Sequence, residues 1–199
     1  MEYVEVCCVD LNPFEPLGID AGQIQFMDTF LLLCLLADSP ADSAESRQSV
    51  ARNQTKVVER GREPGLALED GNRQILLAAL ATQLLAACEP IARAMDAAAA
   101  SADTGYQASL DNQLRKVAQP QLTPSAKVIA AMATHGSFFR FTMHQAEVLR
   151  NHLEATAIDD ASLAELEHES SASLQRQADI EAADTQSFEA FLKDYLALA

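Results

Sequence analysis

Residues 3–9 read YVEVCCV, and this run of aromatic, β-branched and small apolar residues predicts a β-strand. A strand is stable only as a member of a sheet, yet residues 66–68 (LAL) are the one other segment that suggests a strand. Most of the remaining sequence has the spacing and composition of α-helices. We therefore expect a mainly α fold with one N-terminal strand that finds few partners within this sequence.

Glu5 is the one charged residue inside the predicted strand. It would share a face with Tyr3, Cys7 and Val9, because successive side chains of a strand point to opposite sides. A glutamate in this position is most often an edge residue that faces water. The alternative is a metal-binding or catalytic carboxylate on the wall of a sheet, since Mg²⁺ prefers oxygen ligands. The residues alone leave both interpretations open.

Helices are predicted over most of the remaining sequence, from apolar residues that recur on one face and from alanine- and leucine-rich runs. Their ranges are 26–36, 41–59, 74–100, 106–117, 125–134, 138–155, 159–182 and 188–196. Asp20 matches an N-cap, and Thr123 followed by Pro124 matches an N-cap with proline at the first helical position. Pro90 should bend or divide its helix. The apolar stripe of 188–196 should dock on the core.

No internal repeat and no linker composition interrupts the sequence. We therefore expect a single unit over residues 1–199. Within it, residues 1–18 would form the strand and its loop, and residues 19–199 would form the helical region.

Composition restricts the partners of the protein. Its 49% hydrophobic residues exclude wholesale disorder, and its formal net charge of -15 argues against a nucleic-acid partner, which Lys and Arg clusters would have to hold. The apolar run 30–37 is far shorter than the roughly 20 residues that a membrane-spanning helix needs. We expect neither a nucleic-acid nor a membrane partner.

The four cysteines, Cys7, Cys8, Cys34 and Cys88, show neither a C-x-x-C pair nor the spacing of a zinc site. The residues after Met1 lack the basic and apolar pattern of a secretory leader. We therefore expect reduced thiols and a cytoplasmic protein.

Motifs of common catalytic sites are absent from the sequence. It contains no P-loop, Rossmann glycine motif or nucleophile elbow, and its four histidines include no pair at i and i+4. We therefore assign no catalytic residue from motifs.

Three runs near the N-terminus follow one another closely: residues 2–6 read EYVEV, 10–14 read DLNPF and 16–20 read PLGID. Together they resemble the signature of bacterial glutamate–cysteine ligases of the gamma-proteobacterial type. The resemblance continues in the same order at residues 28–40, 53–68 and 181–185, and at Phe188 and Leu192. It implies that the sequence corresponds to the C-terminal part of such a ligase.

The resemblance also implies an activity and a fold. Members of the family use ATP to join the γ-carboxylate of glutamate to the amine of cysteine through an acyl phosphate, the first step of glutathione biosynthesis. They hold Mg²⁺ in a funnel lined by the sheet of an α+β fold like that of glutamine synthetase. Most of this funnel lies upstream in the family, so this sequence would supply a helical portion and one strand of the sheet.

Two positions carry the family's site residues. Glu5 matches a metal-binding glutamate of the family, whereas Cys7 lies where the family has an arginine that approaches the ATP phosphates. A thiol cannot replace the forked, permanently charged guanidinium. We therefore expect Glu5 to be a metal ligand and Cys7 to weaken ATP binding by this chain alone.

Two hypotheses of different classes follow. The first is a C-terminal fragment of an ATP-dependent glutamate–cysteine ligase, inactive alone, whose candidate partner is a separate N-terminal half. The second is a non-catalytic helical scaffold or partner-binding protein derived from that ligase.

Overall fold

The computed structural model describes residues 5–6, 9–39, 41–99 and 105–197. These residues form eight helices, one 3-10 turn and one β-hairpin, which confirms the mainly α fold. The elements are α1 (Ala21–Leu36), α2 (Ala44–Arg60), β1 (Ala67–Asp70), β2 (Arg73–Leu76), α3 (Leu77–Ala98), α4 (Tyr106–Ala118), the turn Pro120–Leu122, α5 (Pro124–His135), α6 (Phe138–Glu154), α7 (Asp160–Ala183) and α8 (Phe188–Ala197).

The contacts divide the chain into two compact units, Met1–Asn151 and His152–Ala199. The expectation of a single unit over 1–199 stays a prediction. Among the described residues, no helix is both long enough and apolar enough to cross a membrane.

The predicted N-terminal strand is described only in part. Residues 5–6 and 9–10 lie in irregular, exposed backbone, and residues 3–4 and 7–8 lie outside the described ranges. Strand geometry depends on a ladder of hydrogen bonds with a neighbour, and the described part of the chain pairs no strand with these residues.

Several helix boundaries lie where the sequence predicts them. The Asp20 carboxylate accepts a hydrogen bond from the Gln23 backbone N–H at 2.6 Å and caps α1. Thr123 caps α5 in the same way, and Gly136 ends α5 in the left-handed conformation at φ 79°. Pro90 does not divide its helix, because α3 continues on both sides of it.

The hairpin corrects the prediction that a helix begins at Gln74. β2 pairs antiparallel with β1, with Leu68 opposite Ile75, and α3 begins only at Leu77. A two-residue turn joins the strands, and its first residue, Gly71, has φ 57°, a conformation that glycine adopts without strain. Strand pairing therefore overrides helix propensity just before α3.

The core of the first unit lies where α1 and α4 contact α3. Its buried members are Leu85, Cys88 and Ala92 of α3 and Leu110 of α4. Cys88 and Ala92 are fully buried, and their small side chains allow neighbouring helices to approach closely. Burial also raises the pKa of the Cys88 thiol, so it stays neutral and packs as a small apolar group.

The α2 helix has no buried residue and is joined to the hairpin by polar contacts. The Asn53 side-chain amide donates to the Glu69 carbonyl at 2.8 Å, and its oxygen accepts from the Glu69 N–H at 2.9 Å. Arg52 donates to both carboxylate oxygens of Glu69, at 3.0 and 2.6 Å. This hydrogen bonding from Arg52 lowers the pKa of Glu69 to about 2.

The α8 helix has the predicted apolar stripe. Its docking on the core stays a prediction, because α8 belongs to the second unit and the core to the first. Phe191 and Tyr195 stack on each other, with ring centroids 6.0 Å apart. An amphipathic pattern predicts an apolar face without identifying what covers it.

We predict that Asn53→Ala lowers the free energy of unfolding by about 1–3 kcal/mol, because two hydrogen bonds to the hairpin backbone are lost. Urea denaturation followed by circular dichroism measures the change. The exposed neighbour in α2 provides a matched control, Gln54→Ala, which should change stability by less than about 0.5 kcal/mol. Equal effects of the two variants would show that the Asn53 contacts do not hold the hairpin.

A second prediction concerns the Arg52–Glu69 pair. The Glu69 carboxyl should titrate near 2 by carbon-13 NMR, and Arg52→Gln should move this midpoint towards 4.5. Because the folded-state pKa is depressed, the pair stabilises the fold above pH 4.5, and this contribution is lost as the pH falls towards 2. Arg73→Gln, which removes the partner of Asp70 in the same hairpin, should leave the Glu69 midpoint unchanged.

Candidate functional site

The segment that leads from Glu5 into the helical body is a compact pair of turns. The Asn12 N–H donates to the Gly18 carbonyl at 2.7 Å, and the Gly18 N–H donates to the Glu15 carbonyl at 3.0 Å. The Asn12 side chain accepts from the Phe14 N–H at 3.2 Å, and Gly18 has φ 76°. Residues 10–18 of the family-like signature therefore fold a turn that needs Asn12 and Gly18.

An aromatic contact holds this segment on α6. The ring of Phe14 lies 5.6 Å from that of Phe141, which is 1% exposed. Phe138 and His135 surround the same ring, with centroids 6.4 and 6.0 Å from it. This contact and the Asp20 cap fix residues 10–20 on the helices, so these residues build a support for the segment that bears Glu5.

Glu5 itself lies in irregular backbone and is exposed. Within residues 5–6, 9–39, 41–99 and 105–197, no three His, Cys, Asp or Glu side chains lie close enough to share a metal ion. Mg²⁺ needs octahedral oxygen ligands and is usually held by one or two carboxylates together with substrate phosphates. Glu5 can supply one such ligand, so the described residues do not form a magnesium site by themselves. Cys7 lies outside the described residues.

Two open cavities flank the same segment. One, of about 750 Å³, lies between it and the helices α5 and α6 and is lined by Asn12, Met132 and Phe141 among others. The other, of about 830 Å³, is mostly apolar, and Val9 lines both. We call the second the α1 cleft; its lining includes Phe26, Met27 and Phe30 of α1, Leu76, Leu84 and Val117.

Arg62 lines both cavities. In the described part of the chain it makes no ion pair or side-chain hydrogen bond, whereas its neighbours Arg60 and Glu63 pair at 2.6 Å. Hydrogen bonding from Arg60 lowers the pKa of Glu63 and keeps that carboxylate ionised. Nothing in the sequence distinguishes Arg60, which is paired, from Arg62, which faces the cavities.

His135 and His144 form a second constellation that the sequence did not reveal. Their ring centroids lie 4.7 Å apart across the turn between α5 and α6. The two residues are separated by a helix break, so no helical spacing relates them. Within the described residues no third metal-ligating side chain joins them.

A family model described as glutamate–cysteine ligase matches residues 1–57. Over 198 residues, the chain is 41% identical to the glutamate–cysteine ligase of Azotobacter vinelandii (strain DJ / ATCC BAA-1303). It is 36% identical to that of Pseudomonas fluorescens (strain Pf0-1) over 198 residues. Each alignment covers 99% of this chain and 37% of the relative, so the chain spans little more than a third of their length.

A solved structure gives the same result. The crystal structure of glutamate–cysteine ligase from Francisella tularensis in complex with AMP matches with a TM-score of 0.80 and 26% sequence identity. The match covers 93% of this chain and 36% of that one. The family model, the near-complete alignments and the structural match agree, and the chain belongs to the glutamate–cysteine ligase family.

Proposed function

We propose that this chain is the helical C-terminal part of a glutamate–cysteine ligase and contributes to ATP-dependent formation of γ-glutamylcysteine. The observation that carries the proposal is the alignment of 99% of the chain, at 41% identity, with a ligase of which it spans 37%. Glutamate and cysteine are the substrates that the name of this relative implies. The scaffold hypothesis gains no comparable support.

The nucleotide follows from the structural neighbour, which was crystallised in complex with AMP. This supports an adenine-nucleotide site in the family, and we propose ATP as the nucleotide and Mg²⁺ as its metal. When bound, Mg²⁺ would neutralise charge on the phosphates. Cytoplasmic location is part of the same proposal, since the cysteine spacing suits reduced thiols.

The contribution of this chain is support for one edge of the site. The Phe14–Phe141 contact and the Asp20 cap hold the segment that leads to Glu5. We assign Glu5 as one oxygen ligand of Mg²⁺, whose other ligands would come from the N-terminal half of the ligase. Cys7 stands where the resemblance places a phosphate-contacting arginine, so the chain should hold ATP weakly without that half.

The isolated chain should not release ADP from ATP in the presence of glutamate, cysteine and Mg²⁺, because it supplies only one edge of the site. A coupled assay for ADP measures this, with the full-length Azotobacter vinelandii ligase as the active control. ADP release by the isolated chain that depends on both amino acids would contradict the prediction.

The role of Glu5 is tested in a chimera that joins the upstream part of the Azotobacter vinelandii ligase to this chain. Glu5→Gln should raise the Mg²⁺ concentration for half-maximal rate by about 10-fold or more, because it removes a charged ligand. Glu15→Gln is the matched control, since Glu15 forms its turn through backbone atoms. Equal Mg²⁺ dependence of the two variants would remove Glu5 from the metal site.

A further inference from the structure

The α1 helix has more apolar surface than this chain covers. Phe26, Phe30 and Leu33 pack against the core formed with α3 and α4. The other sides carry Ile24, 46% exposed, and Leu36, 71% exposed. A helix that is apolar around most of its circumference is normally buried on all sides. One side of α1 is therefore built to meet a surface that the described residues do not supply.

The α1 cleft leaves further apolar side chains uncovered. Leu76, at the end of β2, is 52% exposed, and Leu84 of α3 is 39% exposed, and both line the cleft beside Met27 and Phe30. The cavity of about 830 Å³ is the size of a ligand pocket but is open to solvent along one side. Contiguous apolar surface of this kind marks a site of association.

The position of the cleft indicates what fills it. Val9 lines the cleft. Under the proposed function, the N-terminal half of the ligase precedes this segment in the enzyme. The relatives that align with 99% of this chain have more than half of their length outside it. Under the proposed function, the remainder of such a ligase would meet this chain beside the cleft.

Electrostatics distinguishes this occupant from a second copy of the chain. Arg62 and Lys116 line the cleft together with one carboxylate, Glu63, which is already paired with Arg60. A symmetric dimer formed through the cleft would therefore bring the same two cations together without a free carboxylate of the cleft to balance them. Two copies would also each carry a net charge of -15. An apolar segment with a carboxylate beside it would cover the exposed leucines and pair with the two cations.

We infer that the α1 cleft is the docking surface for the N-terminal half of the ligase, which inserts an apolar segment accompanied by a carboxylate. The inference rests on the proposed function, because that function supplies the partner. It goes further by assigning the contact to Phe30, Leu76 and Leu84, with Arg62 as the ionic contact.

The test uses the upstream part of the Azotobacter vinelandii ligase as a separate polypeptide and measures its binding to the full chain by analytical ultracentrifugation. Leu84→Glu, which places a charge in the cleft, should weaken binding at least 10-fold. Val58→Glu is the matched control, because Val58 of α2 is 79% exposed and does not line the cleft. Circular dichroism of both variants verifies that the helices remain.

Two further measurements keep the result independent of one variant. Arg62→Glu should slow association at low salt, because the exposed guanidinium would no longer attract a carboxylate.

In the single-chain chimera, peroxide should oxidise Met27 at least 10-fold more slowly than in the isolated chain. Met143, 57% exposed on α6 and outside the cleft lining, serves as the reference.

The outcomes separate this inference from the proposed function. The inference is overturned if Leu84→Glu and Arg62→Glu leave binding unchanged, or if the two polypeptides do not bind. It is also overturned if Met27 is oxidised as fast in the chimera as in the isolated chain. Self-association of the chain that Leu84→Glu abolishes would also overturn it, in favour of a second copy. A cleft-dependent complex without ADP release would preserve the docking surface and refute the activity.

Discussion

The close approach of α1 and α4 to α3 determines the rest of the first unit. It depends on small, fully buried side chains at the contact, Cys88 and Ala92 on α3. Thr29 of α1 is also fully buried, and its hydroxyl donates to the Gln25 carbonyl at 2.9 Å, so no polar atom is left unsatisfied there. Larger side chains at positions 88 or 92 would separate the helices and move everything attached to α1.

The candidate site is attached to α1 directly. The Asp20 cap begins the helix, and the turns of residues 10–18 precede that cap. The second anchor, Phe14 on Phe141, fixes the same segment to α6, so residues 10–20 are held at two points. Core packing and the position of Glu5 are thus linked through the chain. Changes in the core should therefore displace residues 10–20 without contacting them.

The sequence predicted those parts of the structure that depend on neighbouring residues. Caps such as Asp20 and Thr123 act over three or four residues, and their helices begin where expected. The hairpin was missed because four-residue strands give little periodic signal, although its turn, Gly71-Asn72, is a known hairpin pair. The two cavities, and Arg62 beside them without an ion pair among the described residues, depend on residues far apart in the sequence, and no spacing rule relates such residues.

The N-terminal segment and the α1 cleft share one physical requirement. Residues 5–6 and Val9 were predicted to belong to a strand but lie in irregular backbone, because a strand forms only where neighbouring strands complete its ladder. The cleft beside Val9 leaves apolar side chains exposed for an equivalent reason, since their packing partner is not among the described residues. A polypeptide that docked in the cleft and added a strand beside Glu5 would satisfy both requirements together. Folding of the strand and assembly of the metal site would then be a single event.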